Sequence, residues 1–224
     1  LEELAPIKVP IRKATPKVTN HSDFVVILND MHFPMQCNKS LDIAFETIRQ
    51  LQPKQIILNG DTVDMLAVSR FPKDIRHQYS LLDERLAYHE FLDTLLGVSG
   101  GASIVETHSN HAGNGTDGRW FRYLSERLRE LTSLPDIAEK LSYQNVFLGD
   151  YREDVDHVDY VELCKDLVVL HGDIVRKHGG YSARGMLDKY FQSVIVGHTH
   201  RLGMTGQRIP GLGSRDENQL YADA

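Results

Sequence analysis

A chain of 224 residues, 41% hydrophobic and 25% charged, can bury one sizeable core, and its composition excludes a disordered or fibrous protein. A net charge of −6 argues against a general nucleic-acid binder, since such proteins neutralise phosphates with a basic face. No apolar run is long enough to span a membrane, the N-terminus with Glu2, Glu3 and Lys8 lacks the apolar core of a signal peptide, and Cys37 and Cys164 form no CxxC pair, so the expectation is a soluble, cytoplasmic domain whose chemistry is not based on sulfur.

Residues 1–22 read as an N-terminal extension, and 23–224 as one domain. The first apolar, β-branched run is "FVVILND" (24–30), followed by "SLDIAFETIRQL", in which Leu41, Phe45, Ile48 and Leu51 recur at helical spacing behind a capping candidate at Ser40. "QIILNGD" (55–61) then completes a βαβ unit. The next helix, "SLLDERLAYHEFLDTLLG", opens with Ser80-x-x-Asp83, a capping box, and is expected to close on Gly97 before the strand "SIVETHSNH" (103–111). Alternation of this kind predicts a largely parallel sheet with helices packed on it.

An insertion is expected at about 112–158, with a helix of its own in "RWFRYLSERLREL" whose Trp120, Leu124, Leu128 and Leu131 make one apolar stripe. "DYVELCKDLVVLHG" reads as a hairpin turning at Lys165-Asp166 and leading back to the strand "LVVLHGD" (167–173), and the last of the five strands is "SVIVGHTH" (193–200). The final "QLYADA" is a fresh apolar segment that stops abruptly, as in a trimmed piece of something longer.

Each of the five strands ends in residues suited to hard or borderline metals: Asp30 and His32, Asp61 and Asp64, Asn110 and His111, His171, then His198 and His200. A single histidine at a strand end is usually structural. Five such ends are hard to explain independently, because the loops at the carboxyl ends of an open α/β sheet converge on one crevice. Oxygen and imidazole donors without thiolate suit manganese, zinc, iron or nickel, and there are too many for one ion. Two ions sharing a carboxylate would use them all, as a clamp for in-line attack on phosphorus. Gly60, Gly172 and Gly197 are expected where a side chain would block approach to metal or substrate.

In order and strand context these blocks resemble the calcineurin-like metallophosphoesterase superfamily, whose pattern is D-x-H, G-D-x-x-D, G-N-H, H and G-H-x-H. Here they stand as Asp30-Met31-His32, Gly60-Asp61-Thr62-Val63-Asp64, Ser109-Asn110-His111, His171 and Gly197-His198-Thr199-His200. "SRFPKD" and "HGDIVRKHGGYSA" are further similar to phage-borne and bacterial members of unassigned substrate. The resemblance implies an α/β two-sheet sandwich flanked by helices, with the second sheet incomplete if the chain is truncated at its C-terminus. It also implies two divalent metal ions, manganese first among the candidates. Asp30, His32 and His200 would hold one, Asn110, His171 and His198 the other, and Asp61 would bridge them. A hydroxide between the metals would be the nucleophile, His111 the general acid, and Asp64 the residue that orients it.

Three positions depart from the family pattern: Ser109 replaces a glycine, Ala112 an acidic residue, and Met65 the arginine that holds phosphate in the protein phosphatases. No metal ligand is lost. The missing arginine leaves Arg201 or Arg176 as candidates for holding phosphate and favours phosphodiesters over phosphoproteins. The partner implied is a phosphoester substrate, a nucleotide or nucleic acid, with no membrane.

Two other functions compete with a phosphodiesterase. A DNA or RNA nuclease is favoured by the stretch from His171 to Arg208, where Arg176, Lys177, Arg184, Lys189, Arg201 and Arg208 face only Asp173 and Asp188. A non-catalytic protein-binding scaffold of the same fold is disfavoured, because ligands and general acid are all retained. The serine-elbow likeness of "HGGYSARG" fails at Arg184, and no phosphate-binding loop of the G-x-x-x-x-G-K type occurs.

Overall fold

The structure, a computed structural model, describes residues 22–69, 79–111, 123, 155–208 and 219–223. The first half is the expected alternation: β1 (Ser22–Leu28), α1 (Asn38–Leu51), β2 (Pro53–Leu58), α2 (Leu81–Val98) and β3 (Ser103–Thr107). β1, β2 and β3 are parallel neighbours, and β4 (Val155–Val158), which falls in the range read as insertion, adds to β3 as the fourth strand. Their register sets the site. Leu28 pairs with Leu58 and Leu58 with Glu106, so the three strands end level and their outgoing loops leave from one edge.

α1 buries Leu41, Phe45 and Ile48, one face of the predicted period. It begins earlier than the sequence suggested, with Cys37 rather than Ser40 in the capping position, since apolar spacing fixes which face is buried and not where the first turn starts. The α2 capping box forms as read: the Ser80 amide donates to Asp83 Oδ2 at 2.8 Å and the Asp83 amide to Ser80 Oγ at 3.2 Å. This helix continues through Gly97 to Val98, and the chain reverses at Gly100 and Gly101, both with positive φ. Phe33 meets Phe91 at 4.7 Å between ring centroids and Phe45 meets it at 5.9 Å, joining both helices to the loop after β1.

The second half builds a second sheet. β5 (Val161–Cys164) and β6 (Leu167–Leu170) form the predicted hairpin, β6 and β7 (Ser193–Val196) run parallel, and β9 (Gln219–Asp223) lies between β7 and the antiparallel β8 (Met204–Arg208). α3 (Gly179–Tyr190) packs Ala183, Met186 and Leu187 against Val168, Leu170, Val194 and Val196. Pairing of Leu170 with Val196 again brings two strand ends level, so that His171 and Gly197 follow side by side.

The architecture is therefore the two-sheet α/β sandwich flanked by helices of the calcineurin-like metallophosphoesterases. The five strands read as one largely parallel sheet divide between two: β1, β2 and β3 in the first, β6 and β7 in the second. Apolar runs cannot report this division, because a buried strand reads alike in either sheet. "QLYADA" supplies β9. The helix "RWFRYLSERLREL", its apolar stripe and the adjoining "NGTDGR" lie outside the described residues, as do residues 1–21. Among the described residues no helix is long and apolar enough to cross a membrane.

Candidate metal centre

Pairing between β1 and β2 continues past the strands themselves. The Asn59 amide donates to Leu28 O at 2.7 Å, His32 N to Asp61 O at 2.9 Å, Phe33 N to Thr62 O at 2.8 Å and Asp64 N back to Phe33 O at 3.1 Å. Two ligand-bearing loops are thereby held as a ladder, with Asp30 and His32 beside Asp61 and Asp64. The backbone here is strained: Asp30, His32, Asp61, His198 and His200 all have φ between 46° and 70°, the left-handed region that bulky residues avoid. Such a concentration marks a place where side-chain direction outweighs local conformational cost.

Asn59, which sequence reasoning did not single out, joins the two sheets. Fully buried, it donates through Nδ2 to Asn29 Oδ1 at 2.8 Å and to Leu170 O at 3.0 Å, and its Oδ1 accepts from Thr107 Oγ1 at 2.9 Å. Its own carbonyl faces His171 Nδ1 at 3.0 Å. One amide side chain thus ties the ends of β1, β2, β3 and β6. Its signal in the sequence was slight: one asparagine in "LNGD", between a buried strand and a ligand.

The predicted ligands come together. Three overlapping groups have donor atoms within 4.8 Å of one another: Asp30, His32 and His200; Asp61, His171 and His198; and His32, Asp61 and His111. The first two match the two expected sites, and Asn110 joins the second, its Oδ1 lying 3.0 Å from His171 Nε2. Asp61 Oδ2 stands between them, 3.8 Å from His32 Nε2 and 3.1 Å from His171 Nε2. The third group was not foreseen. It places His111 Nε2 3.7 Å from the same oxygen, near enough for His111 to join the other two residues around an ion.

These residues fit divalent cations in protonation as well as position. His32 Nδ1 donates to Asp64 Oδ1 at 2.8 Å, which leaves the Nε2 lone pair facing His200 Nε2 at 2.9 Å. His171 Nδ1 donates to the Asn59 carbonyl, which turns its Nε2 toward two further acceptors, Asp61 Oδ2 and Asn110 Oδ1. Among the described residues the buried Nδ1 of His198 has no hydrogen-bond partner, and its backbone amide donates to Asp30 Oδ1 at 2.9 Å. Converging lone pairs are costly unless positive charge lies among them.

The electrostatics describe a site that draws positive charge, a proton or a metal ion alike. Burial alone would raise the Asp61 carboxyl, but the hydrogen bond and charge of His171 hold it well below the ordinary carboxylate range. Burial likewise pulls His171 down, and the hydrogen bond and charge of Asp61 outweigh it and raise the imidazole. Burial and the neighbouring His171 lower His198. All the donors are nitrogen or oxygen, so the two aspartate–histidine groups can coordinate divalent ions of the borderline class.

Of the three glycines, Gly60 and Gly197 stand against ligands: a Cβ at Gly60 would lie 2.7 Å from the His171 ring, and one at Gly197 2.7 Å from Asp30 Oδ2. Gly172 does something else. Its nearest neighbours are Met186 and Val196, so it serves a turn over the second core and not access to metal.

Asp64 orients His32 more directly than His111, whose Nδ1 lies 3.7 Å from the shared Oδ1. Arg176 is exposed, and Arg201 directs Nη1 to the carbonyls of Lys177 (2.8 Å) and Arg176 (3.3 Å). Ser182, the centre of the failed serine elbow, is buried in α3 and accepts from the Arg176 amide at 2.8 Å.

Two buried acids behind the centre escaped sequence reading. Glu84 of α2 accepts the Met65 and Leu66 amides at 2.7 and 2.8 Å, fixing the turn after Asp64 in which Met65 has φ 57°. Glu106 of β3 accepts from Tyr88 Oη at 2.6 Å. Burial pushes both carboxyls up to about 7, against the hydrogen bonds they accept. Each is an acidic residue in an apolar pattern, the kind of exception that flags a buried polar role.

No protein-family model matches the chain. It is similar to the "Gene 54 protein" of Mycobacterium phage D29, 25% identical over 187 residues that cover 80% of this chain and 70% of that protein. The "Gene 54 protein" of Mycobacterium phage L5 is likewise 25% identical, over 189 residues and the same shares. Those names state no activity, so what can be said of function rests on the site. The chain carries the calcineurin-like metallophosphoesterase signature, paired aspartate–histidine clusters at the joined edges of a two-sheet sandwich, and no narrower family is assigned.

Proposed function

We propose that this chain is a dinuclear metal-dependent phosphoester hydrolase that acts on phosphodiesters. The observation that carries the reading is the position of Asp61, one carboxylate oxygen within 3.8 Å of His32 Nε2 and 3.1 Å of His171 Nε2, which serves both ligand groups at once. Asp30, His32 and His200 would hold one ion, Asn110, His171 and His198 the other, with manganese the first candidate. Such a pair, when bound, supplies charge that makes a nucleophile of water at neutral pH and offsets the charge developing on the phosphoryl oxygens.

The chain's own residues do the rest. His111, nearly buried, has its backbone amide tied to Asp61 Oδ1 at 3.3 Å, which holds the ring near the bridge to protonate the departing alkoxide. Asp64 stands 3.7 Å from His111 Nδ1 and at the same time fixes His32. Preference for diesters is supported by Met65: a buried thioether stands where the protein phosphatases have an arginine, so a monoester's second negative charge lacks that partner.

The test is hydrolysis of bis(p-nitrophenyl) phosphate against p-nitrophenyl phosphate after stripping the protein and restoring manganese, nickel or zinc, with metal counted per chain. Diester turnover at two metals per chain is the expected result. Two metals with turnover of the monoester alone would overturn the diester preference, and a chain that binds no metal would overturn the hydrolase.

A further inference from the structure

The two loops that leave the candidate metal centre from the second sheet form one surface that the hydrolase reading uses only through Arg176 and Arg201, its candidates for holding phosphate. Residues 172–178 start at His171 and residues 201–203 start at His200, so each begins at a predicted ligand. They are fastened together by Arg201 Nη1 on the Arg176 and Lys177 carbonyls. They also touch at α3, where a Cβ on Gly179 would come within 2.8 Å of Leu202 O. Whatever substrate lies in the metal centre therefore has this surface beside it.

The charge on this surface follows from its ion pairs. Only Asp173 and Asp188 oppose the bases of the stretch from His171 to Arg208. Asp173 is taken by Lys189 at 2.7 Å, and Asp188 by Arg184 at 2.9 Å. Arg176, Lys177 and Arg201 are left without an acidic partner among the described residues, and all three stand on the two loops. Among them lie apolar groups that a folded surface usually hides: Leu202 is 98% exposed and Tyr181 65%, the latter meeting His178 ring to ring at 5.4 Å.

We propose that this surface is a platform for single-stranded polynucleotide, which makes the substrate of the adjoining centre an internucleotide phosphodiester. The inference rests on the diesterase reading for its chemistry, though not for its binding. Unpaired cations suit the phosphates on either side of the scissile one, and Tyr181 and Leu202 offer a flat and an apolar face to bases. A duplex would satisfy only half of this, because its base faces are stacked and out of reach. The net charge of −6 is no obstacle. An acidic remainder repels a polyanion everywhere except at the basic loops, and so directs it to them.

The test is fluorescence anisotropy of a labelled, phosphorothioate-linked oligothymidylate, which resists cleavage, with manganese-loaded protein across a salt series. With three phosphate contacts, log K should fall with log salt at a slope of about −2. Lys177→Glu and Tyr181→Ala should each weaken binding about tenfold, and Lys177→Glu should also flatten the slope. Lys165→Glu, the same reversal at the opposite end of β6, should change nothing. The proposal is overturned if the wild-type protein does not bind, if both platform variants bind as it does, or if Lys165→Glu loses as much. Wild-type hydrolysis of bis(p-nitrophenyl) phosphate separates the two readings. Turnover without oligonucleotide binding removes the platform and keeps the diesterase; variant-sensitive binding without turnover keeps the platform and removes the diesterase.

Discussion

The two sheets contribute unlike halves to the candidate metal centre. On the first sheet, Asp30, His32, Asp61 and Asp64 sit on loops laddered to each other, with Glu84 and Glu106 beneath as buried acids. On the second, His171 is as deeply buried as any of these, but beyond Gly197 the chain opens: the His200 side chain is 54% exposed, and the residues after it form the basic, apolar-faced loops. Reaction geometry is fixed where backbone and side chain are both held, and a partner can be met where only the backbone is. An ångström of error matters to a proton transfer and much less to a phosphate resting on a lysine.

The sharpest way to break this contrast is His111→Ala, on the held side. If His111 is the acid, two metals per chain remain and turnover falls about 10²–10⁴-fold for a diester with a poor leaving alcohol, and far less for p-nitrophenolate, which needs no proton. If the third group of His32, Asp61 and His111 describes a ligand set, metal content falls and both substrates suffer alike. Metal counts and the ratio of the two rates decide between these outcomes.

Glu84→Gln tests whether the holding itself matters. Each carboxylate oxygen has its own backbone amide, so converting one to an NH₂ removes an acceptor and sets donor against donor in a buried turn, at a cost of about 1–3 kcal/mol. Gln also removes the buried charge of a carboxyl pushed up to about 7, so at pH 8 the melting temperature should drop only by the excess of the lost amide bonds over that relief, roughly 2–4 °C per kcal/mol for a chain of this size, and the drop should grow toward pH 6. Turnover should fall with it, because the turn carries Asp64 and through it the ring of His32. Unchanged turnover and an unchanged melting temperature at both pH 8 and pH 6 would mean that the turn after Asp64 holds its shape without Glu84.

The same contrast decides what could be read from sequence. The clustered aspartates and histidines were legible because β-branched runs mark strands, and side chains able to bind metal recur just past their ends. Asn59, Glu84 and Glu106 were not, since each acts through a partner distant in sequence: Leu170, Met65 and Tyr88 respectively. The resemblance implied two sheets, but which strand falls in which could not be read from the residues, for it depends on which backbone lies beside which. The surplus of basic residues was visible as a count. Its location emerged only when Lys189 and Arg184 were seen to have taken the two aspartates.

Glu106 gives the mildest test and bears on how the held side is stabilised. Its folded pKa is pushed up to about 7 by burial, against an ordinary 4.5, despite the hydroxyl of Tyr88. Between those two values the native state binds more protons than the unfolded chain, so stability falls as pH rises from about 4.5 through about 7. Above that range the buried charge costs at most about 3 kcal/mol. Gln at this position still accepts from Tyr88 and cannot ionise. Glu106→Gln should therefore melt higher than the natural protein at pH 8, by a few degrees, with the advantage shrinking toward pH 5. A variant that melts lower at pH 8 would instead mean that the hydroxyl bond to Tyr88 stabilises the ionised carboxylate beyond its burial cost. Glu106 would then be a fixed negative charge behind the candidate metal centre, and its loss should weaken any metal affinity, which the same preparation can report.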